Sequence, residues 1–119
     1  MTPVGTPEPL IGGETIPIAW SEESDAELMR RLAAGEVRAL DVLVRRWSPR
    51  LASFLYRFTG DADAVDDLLQ ETFIRVHGAR DTWGDGGNFS AWIHTIARRL
   101  AMDRARTARR KPVQRASDR

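Results

Sequence analysis

Two groups of side chains in this 119-residue chain have types and spacings suited to recognition chemistry. The first lies in the stretch Asp61–His77, where Asp67, Gln70, Glu71 and Ile74 recur at i, i+3, i+4 and i+7 and so share one ridge of a helix. Carboxylates beside an amide and a β-branched apolar residue suit a basic protein surface, with charge-assisted hydrogen bonds around an apolar anchor. The second group is Thr95, Arg98, Arg99, Arg106 and Arg109, which cover one side of a C-terminal helix. Guanidinium forks in a stripe suit phosphates and base edges. Each group has a plainer alternative: a solvated acidic face with one stray isoleucine, and a solvated arginine face. Arginine supplies all basic residues except Lys111, which a genome rich in G and C would also produce.

Converging catalytic groups are not found. His77 and His94 have no metal-ligand companion at helical spacing, and the chain has no cysteine, which excludes disulfides, thiolate zinc sites and cysteine nucleophiles. Asp61, Asp63 and Val65 have the look of an EF-hand start, but Asp66 stands where that loop needs glycine and Thr72 where it needs a bidentate glutamate. Gly84-Asp-Gly-Gly87 lacks the strand and spacing of a nucleotide fingerprint. The expectation is a binding protein rather than an enzyme, with no cofactor and no metal.

Charge is unevenly distributed. Residues 1–71 carry 7 Arg against 13 Asp and Glu, and residues 72–119 carry 11 basic residues against 4 acidic ones. An acidic first part and a basic second part fit two partners of opposite sign, a basic protein surface and a polyanion. No secretory signal and no apolar run long enough for a membrane span occur in the sequence, so no membrane association is expected.

The elements that must hold these residues follow from periodicity. Residues 1–20, with Pro3, Pro7, Pro9 and Pro17, read as a flexible leader in which Ile16, Ile18 and Trp20 are able to fold back onto the domain. Ser24-Asp-Ala-Glu27 reads as a capping box opening a short helix that buries Leu28 and Leu32 and ends at Gly35. A longer helix spans about Glu36 to Phe58, with Leu40, Leu43, Val44, Trp47, Leu51, Phe54, Leu55 and Phe58 as its core stripe. Pro49 should kink it near Ser48 or start a second piece. Thr59-Gly60-Asp61 closes that helix and caps the next, whose Val65, Leu68, Leu69, Thr72, Phe73 and Val76 face inward at about 100° per residue. A glycine-rich loop, Gly78–Asn88, carries Trp83 to a last helix from Phe89 or Ser90 to about Arg110, with Trp92, Ile93, Ile96, Ala97 and Leu100 inward. The expected fold is all-α: a compact helical bundle of three longer helices and a short N-terminal one, over residues 21–111.

These residues resemble a family. Asp67-Leu-Leu-Gln70-Glu71-Thr-Phe73 resembles the Asp-Leu-(Val/Leu)-Gln-Glu-Thr-Phe pattern of region 2.2 in bacterial sigma factors, especially the extracytoplasmic-function (ECF) group. Gly60-Asp61 before it, and Phe89-Ser-Ala-Trp92-Ile93 through Ala97-Arg98-Arg99 after it, are similar to the end of region 2.1, to region 2.3 and to the start of 2.4. In housekeeping sigma factors a similar helix reads Trp-Ile-Arg-Gln-Ala-Ile-Thr-Arg with an Asp further on, and Trp92, Ile93, Arg99 and Asp103 fit that frame without a gap.

The resemblance implies a region 2 module that acts in the cytoplasm, binds core RNA polymerase, and recognises and helps melt the promoter −10 element. It places Asp67, Gln70, Glu71 and Ile74 on the coiled coil of the polymerase's largest subunit. Thr95 and Arg98 fall where the family reads the upstream end of the −10 element, and Arg99, Arg106 and Arg109 would neutralise phosphates of the DNA. Gly86, Gly87, Asn88 and Phe89 become the pocket for a base of the non-template strand flipped from the stack. An anti-sigma factor is a further partner known in the family.

Two departures qualify that picture. The aromatics near the melting segment are limited to Trp83, Phe89 and Trp92, and Trp92 lies in the apolar arc, so modest melting power is expected. Phe89 is open to two roles, a hydrophobic staple or a base contact. The family also carries a second helical domain for the −35 element, and residues 112–119 read as the start of an interdomain linker in a fragment. Two other readings compete: a helical interaction or regulator domain with a solvated Arg stripe, and a helix-turn-helix repressor. The repressor is disfavoured because that motif's turn is only about 3 to 4 residues.

Overall fold

The computed structural model describes residues 16–83 and 87–110. Among the described residues four helices follow in order, α1 Asp25–Ala33, α2 Arg38–Thr59, α3 Ala62–Gly78 and α4 Phe89–Arg110, after a 3-10 segment at Ile18–Glu22. Among the described residues there is no strand, so the all-α expectation and the division into one short and three longer helices hold. Helix α2 is the axis, packing against α1, α3 and α4, while α3 and α4 also pack on each other.

The caps show why each helix starts and stops where it does. Ser24 Oγ accepts the Glu27 N–H at 3.1 Å, so the first half of the expected capping box is made. The reciprocal half is not: the Glu27 carboxylate pairs with Arg30 one turn on, at 2.5 Å, instead of reaching back to the cap. Gly35 turns the chain after α1 with φ +100°, and Gly60 ends α2 with φ +67° while its N–H bonds to the Tyr56 carbonyl. Both angles lie in the left-handed region where a Cβ is strained. Asp61 then caps α3, its Oδ1 accepting the N–H groups of Asp63 and Ala64. Pro49 does not start a second helical piece; α2 is assigned as one helix from Arg38 to Thr59.

The core follows the apolar stripes. Leu28, Leu32, Leu43, Leu51, Leu55, Leu68, Val76 and Ile93 are fully enclosed, and burying each such side chain contributes about 1.5–3 kcal/mol. Thr72 is buried without cost because its hydroxyl donates to the Leu68 carbonyl at 2.7 Å. Phe58, assigned to the core stripe by period, is instead 48% exposed: it lies in the last turn of α2, with its ring 6.2 Å from that of Phe54. Of the leader expected over residues 1–20, residues 16–20 are described: Ile16 and Trp20 pack against the core, while Ile18 points outward. Residues 1–15 and 111–119, and so the rest of the leader and the linker, lie outside the described residues.

Polar contacts fasten this N-terminal segment. Arg31 binds Glu23 through two bonds of 2.6 and 2.7 Å, reaches Glu36 at 3.1 Å and lies 4.7 Å over the Trp20 ring. Hydrogen bonding from Arg31 holds the Glu23 carboxyl below the usual carboxylate range. A lowered pKa in the folded state gives stability that is complete above the ordinary glutamate value and is lost as pH falls through the lowered one. Urea melts between neutral pH and pH 3 should therefore show a shallower acid decline for Glu23→Gln than for the parent protein.

Asp25 is a second fastening point. Its Oδ1 accepts from the Trp47 indole Nε1 and from Arg46, both at 2.9 Å. Trp47 is only 4% exposed, so removing the acceptor strands a buried donor, which costs about 1–3 kcal/mol. Asp25→Ala should lower stability by about that amount in chemical denaturation, and Asp25→Asn should recover most of it.

Candidate functional site

The acidic ridge of α3 is exposed along its length, with Asp67, Gln70 and Glu71 on the surface and Ile74 65% exposed. It is divided, however, between two sides. Asp67 leans toward α4, where Arg104 stands 3.5 Å from its Oδ2. Gln70 and Ile74 instead border a groove of about 540 Å³ between α2 and α3. Leu69, Phe73 and His77 of α3 line it, and Leu40 and Val44 of α2 line it from the other side, with Val37 just before that helix. The ridge is therefore one wall of an apolar trough, with Asp66 at its edge and Val37 57% exposed at its mouth. Exposed apolar surface rimmed by polar groups is the form of a protein docking site.

The stripe on α4 is a separate face. Thr95, Arg98, Arg99, Arg106 and Arg109 are all exposed, with Met102, 40% exposed, among them. The Thr95 hydroxyl donates to the Ala91 carbonyl at 2.8 Å, which leaves its lone pairs outward as acceptors. Arg106 pairs with Asp103 one turn earlier. An exposed pair of this kind is worth little and opens readily when a phosphate competes. Arg98 and Arg99 have no ion-pair partner among the described residues, and neither has Arg109.

Between these faces lies the loop before α4. Residues 79–83 continue in turns from the end of α3, and Trp83 brings its ring 5.8 Å from Phe89 and 5.9 Å from Trp92. Phe89 is 5% exposed and also meets Trp47 at 5.8 Å. Of the two roles open to Phe89, this burial favours packing: the ring sits among Trp47, Trp83 and Trp92 at the start of α4. Asn88 caps that helix, its Oδ1 accepting the Ala91 N–H at 3.0 Å, and remains exposed. Gly87 lies so close to Trp83 that a Cβ there would stand 3.3 Å from the indole Nε1. Gly86 lies outside the described residues.

Residues 43–111, more than half of the chain, match the family model for sigma-70 region 2. The chain belongs to the sigma-70 region 2 family. Its relatives include the RNA polymerase sigma-H factor of Pseudomonas aeruginosa, 29% identical over 77% of this chain and 48% of the relative. The sigma factor CarQ of Myxococcus xanthus is 36% identical over 68% and 47%, and the ECF sigma factor SigE of Mycolicibacterium smegmatis 35% identical over 73% and 35%. The chain thus spans about half or less of the length of these relatives. Among solved structures, an engineered region 2 of sigmaE in complex with GTAAAA superimposes with a TM-score of 0.70 at 30% identity, over 76% of this chain and 94% of that one.

In this region 2 domain the sequence missed two features. Leu40 and Val44 read as helix-packing residues and Val37 is not singled out, and only the approach of α3 shows that all three line the groove. Asn88 read as part of a pocket, whereas its spacing three residues before Ala91 was a cap signal open to recognition. Trp83 is held between two rings, so it has little freedom to retreat from a new methyl group. Gly87→Ala should lower stability by about 1 kcal/mol, an overpacking cost, and alter the tryptophan emission spectrum in the same thermal melt.

Proposed function

We propose that this region 2 domain binds core RNA polymerase through the α2–α3 groove and its acidic wall, and recognises and helps open the promoter −10 element through α4 and the preceding loop. The observation that carries the reading is the shared fold with a region 2 bound to GTAAAA, together with an arginine face on α4 that is exposed. On the polymerase side, Asp67, Gln70 and Glu71 offer carboxylate and amide acceptors to basic residues of the largest subunit's coiled coil, and Ile74 enters as the apolar anchor. On the DNA side, Arg99, Arg106 and Arg109 take phosphates, whereas Thr95 and Arg98 face base edges at the upstream end of the element.

Gly87 and Asn88 form the rim that receives a base of the non-template strand after it leaves the stack. Phe89 serves this pocket from below, by fixing the helix terminus from which Asn88 projects. No catalytic residue is required, because the work is binding: unstacking costs a few kcal/mol and is offset by capture of the freed base. The site of action is the cytoplasm, where the polymerase works, and an anti-sigma protein would compete for the groove. Among the described residues no helix is long and apolar enough to cross a membrane.

Co-elution with purified bacterial core RNA polymerase tests the first half. The parent chain should co-elute, and the Asp67→Arg, Glu71→Arg double variant and Ile74→Arg should not, with helicity by circular dichroism unchanged in both. Equal association of all three proteins would remove the groove from the account. For the second half, Arg109→Ala should weaken binding to all −10 sequences alike and reduce the salt slope by about one, whereas Arg98→Ala should relax base preference at the upstream position.

A further inference from the structure

A recess of about 240 Å³ opens at the C-terminal end of α2, lined by Phe54, Arg57, Phe58 and Arg98. We infer that this recess is an additional nucleotide-binding site, in which a base stacks on Phe58 and its phosphate lies against Arg57, with Arg98 beside it on the edge shared with the −10 face. Three observations point to that occupant. Phe58 lines the recess and presents 48% of its surface to solvent, so an aromatic side chain is left half open there. Arg57 and Arg98 approach it from two different helices, and neither has an ion-pair partner among the described residues, so two positive charges converge on one small apolar floor without an anion. Lastly, the rings beneath are fixed: Phe58 packs 6.2 Å from Phe54, and Phe54 packs edge-on at 5.2 Å against His94, whose Nδ1 lies 2.8 Å from the Ser90 carbonyl.

A held aromatic platform beside unpaired guanidinium groups is the arrangement that binds unpaired nucleotides without regard to sequence, because every base has a face to stack. A partner protein is a poorer fit, since the recess is small and both of its polar walls carry the same charge. The site is continuous with the face assigned to DNA, because Arg98 belongs to both. It lies about 13 Å along α4 from the loop pocket, nine residues at 1.5 Å each. The inference rests on the promoter-binding reading, in which Arg98 faces the upstream end of the element, so the bound nucleotide lies on the 5′ side of those held at the loop.

Fluorescence anisotropy at low salt on the full chain provides the test, with three single-stranded probes: GTAAAA, the same sequence with four thymidines added at the 5′ end, and with four added at the 3′ end. The 5′ extension should tighten binding by the parent chain about fivefold, a modest return for one stacked base and its phosphate contacts. Phe58→Ala and Arg57→Gln should lose that gain, Phe58→Trp should keep it, and the response to the 3′ extension should be the same in all four proteins. A 5′ gain that is absent in the parent chain, or that persists in Phe58→Ala, overturns the α2 site and leaves the promoter-binding reading standing. Failure of the parent chain to bind any of the three probes overturns both.

Discussion

Trp47 is the contact on which the arrangement of the other elements depends. Its indole N–H is anchored by Asp25 at the start of α1, its ring meets Phe89 at the start of α4, and His94 one turn later stands edge-on at 6.0 Å. Arg50 lies 5.1 Å over the same ring from the solvent side. One side chain in the middle of α2 therefore fixes where α1 begins and where α4 enters. The polar end of the indole makes this specific, since an aliphatic residue of similar volume would fill the space without fixing the position of Asp25.

From Trp47 the aromatic contacts run in two directions. Toward the loop, Phe89 leads to Trp92 at 5.5 Å and to Trp83 at 5.8 Å, so the glycine-rich connection is pinned at its tryptophan. Toward the end of α2, His94 leads to Phe54 and then Phe58. Both surfaces proposed to meet nucleic acid thus rest on one connected set of rings. Sites built on supported elements hold their groups more accurately than free loops do, which suits the base capture proposed for this domain.

The charged surfaces obey a different logic. The pairs Asp67–Arg104 and Asp103–Arg106 are exposed and contribute little to stability, so both are available for exchange with a partner. Arg31 is different, because its bidentate grip on Glu23 and its stacking on Trp20 bind a segment that has little apolar anchoring of its own. The acidic and basic halves of the chain end as two adjacent helices, and the placement of α3 beside α4 turns a sequence asymmetry into two separate faces.

Helical periodicity alone determined the number and approximate bounds of the helices, since each stripe of Val, Leu, Ile and Phe marks a face that must be buried. Local chemistry also fixed the stops at Gly35 and Gly60 and the caps at Ser24 and Asp61, because those effects act within one turn. The region 2 pattern from Asp67 to Phe73 gave the family. Tertiary structure decided what depends on which helix lies opposite which. Phe58 has the period of a core residue but falls in the last turn of α2 and stays half exposed, and Phe89, adjacent to a polar loop, is enclosed by Trp47, Trp83 and Trp92. Leu40 and Val44 line an open groove because α3 covers only part of α2. Burial is a property of pairs of surfaces, and a one-dimensional pattern records only one of the two.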